Sequence, residues 1–584
     1  MNKLKLPIWN LKDFYPSHNS KEFDKDLNVL EKLINKFSKS YKGNLSKLSP
    51  NKLIDVISNY EKIEEIIIKV KSYTFLLYCT DQLNEIKSVF YQKTSEDLTK
   101  LEGKLIFFGL EINKLPNKNL NEIKNSKYYV WLKIQRKFKK YQKNENIEKV
   151  LLDKSTTSSN SWIRLFDETM ARMKFDLAGK ELNESEILNL ISSKNPKTRE
   201  NAAKVFGKTL KQNIHLFSMI TNTLSKDLQI DNSLRGFAKP DSSRHLSNQV
   251  DAADVECLSE TVKKNYKNLS HRYYKYKARI FKTKKLNYWD RNAPYPNQGV
   301  QNIKWSEAKQ IVLESYEKFD KRISDIVLLF FKNSWIHAEV VNGKTSGAFA
   351  HPTVPSVHPY ILLNYQNKVR DVMTLSHELG HGVHQYLANH NGLLLSSTPL
   401  TLAETASVFG EMLTFRSILS GTKSKEQRKF VLRSKIEDML NTVVRQISFY
   451  EFEKKIHSQR LLGELSSELI CEYWLETQKE SLGDSIKLDG DYKYFWAYIP
   501  HFIHSPFYVY AYAFGDCLVN SLYAKYEEGL KNFNDKYINL LKSGGSIEYS
   551  KLLKNFDLDP KSSTFWQSGL NLIKKLIDDL EDLG

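Results

Sequence analysis

The chain has 584 residues, 41% of them apolar and 12% aromatic, and a formal net charge of +19. This composition excludes a disordered chain, and the length allows a large core divided among several domains. No run approaches the roughly 18 consecutive apolar residues of a membrane span, so neither a transmembrane helix nor a membrane partner is expected.

The charge raises a nucleic-acid reading, for which Lys133–Lys143 and Lys263–Arg291 are the best segments, since both mix basic and aromatic residues. Lysine is high along the whole chain, however, and no nucleic-acid module signature occurs. A solvated basic surface and no nucleic-acid partner are expected. Cys79, Cys257, Cys471 and Cys517 lie far apart without metal-type spacing, as free thiols of a reducing compartment do. The opening MNKLKLPIWNLKDFYP has no apolar run long enough for a signal peptide, so a cytoplasmic location is expected. Nothing in the sequence sets an oligomeric state.

Apolar residues three and four apart predict helices from Ser20 to about Ile191, notably over Asn28–Phe37, Leu53–Tyr78, Asp97–Ile112 and a strongly basic Lys118–Asn146. Leu115-Pro-Asn and Gly179-Lys read as connections, and Ser158–Glu168 as a capped helix start. Asn195-Pro-Lys marks a boundary, followed by one or two helices over Thr198–Leu228. Leu234–His245 and Asn292–Asn297 read as loops, with Arg235 and Arg244 as solvated charges. The β signal is confined to Trp335–Leu363, where Val340–Gly347 reads as a turn and Tyr360–Tyr365 as a strand. After Glu411 the pattern is helical to the end.

Within this frame stands DVMTLSHELGHGVHQY, Asp371–Tyr386, which carries the H-E-x-x-H pattern as His377, Glu378 and His381. On a helix, residues four apart lie one turn apart on one face. Both imidazoles can therefore reach one metal ion, while Glu378 stands to the side in place to take a proton from an attacking water. Val372, Leu375, Leu379, Val383 and Tyr386 collect on one side of that helix, and His377, His381 and His384 on the other.

Metzincins place Gly at position 384 and His at 387; this chain has His384 and Leu387, which excludes that class. The other common third ligand is a glutamate from a second helix. Glu404, in TLAETASVFGE, lies 27 residues after His377, and Glu411 shares its face seven residues on. Taken alone, Glu404 serves equally well in a capping box with Thr401; beside the H-E-x-x-H helix it is read as the ligand. Glu411 is either a group that orients a ligand imidazole or a helix-surface carboxylate.

HELGH followed by AETASVFGE resembles the thimet oligopeptidase family of zinc peptidases, and within it the oligoendopeptidase F branch. Three further blocks carry the likeness: Pro7–Pro16; Gly347–Phe349 with His358–Tyr365; and Pro500–Tyr512. The resemblance implies a mainly α, two-lobed helical peptidase enclosing a deep channel, with a small β-sheet beside the zinc helix. It divides the chain into an N-terminal helical region (1–112), an oligoendopeptidase F-type domain (113–195) and a catalytic domain (196–584). Gly347, Ala348, His358, Tyr360 and Asn364 are similar to its substrate-lining loop and edge strand, to which an extended peptide adds as a further strand. The implied activity is hydrolysis of internal bonds in short unstructured peptides, with one zinc per chain on His377, His381 and Glu404 and with Glu378 as general base.

An oxyanion needs donors besides the metal, and His501, His504, Tyr508, Tyr510 and Tyr512 offer them. The resemblance assigns one His and one Tyr here; His501 and Tyr512 are preferred, with a slip of one turn left open. Tyrosines at every second position also fit an amphipathic strand or core aromatics. His358 and His384 are read as pocket lining. Two other readings stand beside this one: a zinc carboxypeptidase on the same scaffold, and a catalytically inactive helical binding protein.

Overall fold

A computed structural model describes residues 6–295 and 302–584. The architecture is mainly α, with small sheets only. The chain forms two compact units, each gathered from three stretches: 1–140, 300–421 and 525–558 in the first, and 141–299, 422–524 and 559–584 in the second.

The first unit opens with helices Lys21–Tyr41, Pro50–Cys79, Glu85–Gly103 and Ile106–Lys114. Asp97–Ile112 is thus two helices rather than one, parted at Lys104–Leu105. The basic Lys118–Asn146 stretch is also broken, into Asn117–Glu122, Tyr129–Lys137 and a single 3-10 turn. Its charged faces leave too few apolar contacts to sustain one long helix.

The unit's two central helices are Val369–Ala388, the histidine helix, and Leu400–Gly421, the glutamate helix. Asp371 caps the first, its carboxylate accepting the backbone N–H groups of Gln366 and Lys368 at 2.7 and 3.0 Å. Val372, Leu375, Leu379 and Val383 are buried as the periodicity requires; Tyr386 instead is 38% exposed. Gly380 lets the helices touch, because a Cβ there would strike the backbone of Ala406 and Ser407. Ser376 Oγ then donates to the Gly410 carbonyl at 2.9 Å, and the Tyr316 hydroxyl to the Ser376 carbonyl at 2.9 Å. Behind the glutamate helix, Phe409 packs on Phe533 and Tyr537, whose hydroxyl bonds the Thr405 carbonyl.

The three-stranded sheet lies in the same unit, in the order Ile336–His337, Tyr360–Leu362, Phe349–His351. Tyr360–Leu362 is therefore central, parallel to one neighbour and antiparallel to the other, which corrects the expectation of an edge strand there. Both of its sides are already hydrogen-bonded, so a peptide has nowhere to add. The edge strands are Ile336–His337, whose flank is bonded to the Pro7–Asn10 segment through Ala338 and Ser334, and Phe349–His351.

In the second unit, Pro196–Gln212 and Ile214–Arg235 are two helices, the latter ended by Gly236 at φ +84°. Two short ladders lie outside the expected β region. One is a hairpin, Phe175–Leu177 with Lys180–Leu182, turning on Ala178 and Gly179 at positive φ; the other is a parallel pair, Leu286–Asn287 with Ile486–Lys487. Arg235 is not simply solvated, for it forms two bonds to Glu148 and two to Asp231. Arg244 donates to the Pro506 carbonyl. The loop expected over Asn292–Asn297 falls partly outside the described residues.

Candidate functional site

His377 and His381 stand one turn apart on the histidine helix. His377 Nδ1 meets Glu411 Oε2 at 3.3 Å, and the Ala403 backbone favours a proton on His381. Both Nε2 atoms turn to one point, at 3.5 and 3.6 Å from Glu404 Oε2. Glu404 is itself fixed by Ser407 Oγ, which donates to Oε2 at 2.7 Å. The three ligand-type atoms all lie within 4.8 Å of one another. Thr401 forms no capping bond; its hydroxyl is buried without a partner, and the helix begins at Leu400. The capping-box alternative for Glu404 is thereby removed.

The electrostatics call for a cation. Burial opposes charge on His377, but the bond to Glu411 and the charges of Glu404, Glu411 and Glu378 outweigh it and hold the ring at about 9. His381 moves the other way, to about 4, through burial and the neighbouring His377. The carboxylates thus favour positive charge at this site, on His377 rather than on His381. Two neutral Nε2 atoms and one carboxylate form the donor set of a tetrahedral zinc site with an open position, so the residues fit that ion.

Glu378 is 7% exposed; burial, with Glu404 adding to it, raises its carboxyl to about 7, against a bond from the Ala350 N–H and the charge of His377. It shares a cleft of about 430 Å³ with both histidines, Phe349–Pro352, His384 and Gln385. His384 is buried and pushed down to about 3 by that burial, a neutral wall of the cleft.

The expected substrate-lining residues separate. Ala348 lines the cleft. Gly347, at φ +79°, ends a loop that Asn364 braces by donating to the Thr345 and Gly347 carbonyls. His358 is stacked on Trp335 at 3.7 Å and bonded to Asp13, and Tyr360 is fully buried with its hydroxyl on the Asn10 carbonyl. Those two side chains serve the fold.

The His/Tyr cluster lies in the second unit, and it separates too. His501 Nε2 and the Tyr512 hydroxyl are 3.2 Å apart. Tyr510 is a core residue bonded to His245 and Asn248. His504 pairs with Asp167 at 2.8 Å, and Tyr508 lies near the Arg244 guanidinium. The sequence reading missed Ser407, the Ala403 backbone and the strand Phe349–His351. Ser407 was open to it, since residues three apart share a helix face; the other two are backbone groups, which residue types do not reveal.

A family model described as Peptidase family M3 matches residues 189–572, and one described as Oligopeptidase F matches residues 111–175. The chain is 26% identical to oligopeptidase PepF of Bacillus subtilis, over 98% of this chain and 87% of that protein. It is 28% identical to an oligoendopeptidase F homolog of Borreliella burgdorferi, over 98% of each. Among solved structures, oligoendopeptidase F of Enterococcus faecium superposes with a TM-score of 0.71 at 19% identity, over 96% of this chain and 99% of that one. A chain from Chlamydophila abortus gives 0.86 at 22%, over 99% and 98%. These two share the fold.

Proposed function

The chain belongs to peptidase family M3, and on that premise we propose that it is a zinc-dependent oligoendopeptidase cutting internal bonds of short, unstructured cytoplasmic peptides. The observation that carries this reading is the convergence of His377 Nε2, His381 Nε2 and Glu404 Oε2, with both histidines lining the same cleft as Glu378. His377, His381 and Glu404 would hold one zinc per chain, which would supply a Lewis acid able to lower the pKa of water to about 7.

The chain's own groups account for the rest. Glu378 accepts the proton of the attacking water and delivers it to the departing amine, with the Ala350 N–H fixing its carboxylate. Glu411 holds the His377 tautomer that presents Nε2. An extended peptide adds to the outer edge of Phe349–His351, with which no other strand pairs among the described residues. Main-chain bonds of that kind select backbone rather than a particular side chain. Tyr512, to which His501 is bonded, is proposed as the oxyanion donor on the family resemblance alone.

The test is a pair of variants. Glu378→Gln should keep one zinc per chain and lose about 10²-fold or more of turnover on a quenched-fluorescence peptide. Glu404→Ala should lose zinc. Turnover within about threefold of wild type for the first, or full zinc in the second, contradicts the assignment.

A further inference from the structure

Beside the cleft lies a second cavity, of about 380 Å³. Pro352, Gln385 and Ser397 line both, and Pro352 directly follows the edge strand Phe349–His351. A peptide laid on that strand therefore reaches the second cavity with the residues that run past His351. The walls there are aromatic. Tyr60 lies on the helix Pro50–Cys79, Phe108 on Ile106–Lys114 and Trp131 on Tyr129–Lys137. The Tyr60 and Phe108 rings are 4.3 Å apart, and Phe108 and Trp131 are 6.5 Å apart at 20°.

The charged side chain on this wall is Glu64, one turn after Tyr60. Its carboxyl is raised by burial and by Glu102, against a bond from Tyr60 and the charge of Lys71. Lys71 itself is held by Glu102 through contacts of 2.6 and 2.7 Å, and no ion pair to Glu64 occurs among the described residues. A partly buried carboxylate without its own cation carries a desolvation cost that an incoming cation offsets. Tyr and Trp faces attract the same charge. A neutral group gains neither effect.

We propose that this cavity is a subsite for a positively charged group of the bound peptide, its α-ammonium or a Lys or Arg side chain. Glu64 is the counter-ion, and Tyr60 and Trp131 are the aromatic faces. The proposal rests on the peptidase reading, since it takes the bound ligand to be a peptide on the Phe349–His351 edge.

The experiment compares matched short peptides that differ in one charge: free against acetylated N-terminus, and Lys against Gln at each position on either side of the scissile bond. Binding is read by fluorescence anisotropy on the Glu378→Gln protein, and cleavage separately on the wild type. At least one cationic peptide should bind about tenfold tighter than its neutral twin; which one identifies the source of the charge. Adding Glu64→Gln should bring that ratio to within about twofold, and Trp131→Ala should lower it more than Trp131→Phe. The ratio is taken within each protein, so loss of folded material does not mimic it. Equal affinity throughout every pair, or a ratio that survives Glu64→Gln, overturns the subsite. A Glu64-dependent ratio with no cleavage by the wild type would uphold the subsite and overturn the peptidase reading.

Discussion

His377 commits Nδ1 to Glu411, so its Nε2 faces Glu404 without rearrangement. Glu411→Gln should weaken zinc affinity by about 10–100-fold, measured by competition with a chromophoric chelator; unchanged affinity would return Glu411 to a helix-surface role. Tyr512→Phe should lower kcat more than it raises KM, since an oxyanion donor acts mainly in the transition state; an effect on KM alone would make it a ground-state contact. A third residue speaks to stability. Glu453 is buried, with Oε1 accepting the Phe507 N–H and Oε2 unpartnered, and burial raises its carboxyl from 4.5 to about 8. The folded chain thus keeps a proton that the unfolded chain releases, and stability falls as pH rises from about 4.5 to about 8. Glu453→Gln should flatten that decline in a Tm series from acid to alkaline pH; parallel curves would contradict it.

The pairing of the histidine and glutamate helices depends on how closely their backbones approach. Gly380→Ala would place a Cβ against the Ala406 and Ser407 backbone, costing on the order of 1–3 kcal/mol and moving Glu404 away from the histidines. Lower Tm together with weaker zinc binding is expected; a variant unchanged in both would show that the helices have room. The H-E-x-x-H helix was legible because spacing by four specifies a shared face. The glutamate helix was legible only in combination, since a Thr-x-x-Glu segment is also a capping signal until the buried, unpartnered Thr401 is seen. Strand order was not legible: pairs of two and three residues are too short for alternation to show which is central. The tyrosines were not separable either. The described helix begins at Tyr510, and two positions along it rotate a side chain by about 200°, so Tyr510 enters the core while Tyr512 meets His501.

At the level of the whole chain, helix content and the H-E-x-x-H helix could be read from periodicity and a motif, but the assembly of each unit from three separate stretches leaves no local mark. The formal charge of +19 likewise says little about function, because it is the excess of 87 Lys and Arg over 68 Asp and Glu along the whole chain, and many of these charges are engaged in ion pairs such as Arg199 with Asp290 and Arg272 with Asp578 and Glu581. Among the described residues, no helix is long and apolar enough to cross a membrane, and the four cysteines are free thiols. The central claim is that peptide hydrolysis depends on a metal held by His377, His381 and Glu404. It is tested most directly by following the cleavage of a short quenched-fluorescence peptide through removal of metal with a chelator and stoichiometric return of zinc. Loss of turnover on chelation and its recovery with one zinc per chain is the predicted result; turnover unaffected by chelation, with the metal shown to be gone, would contradict it.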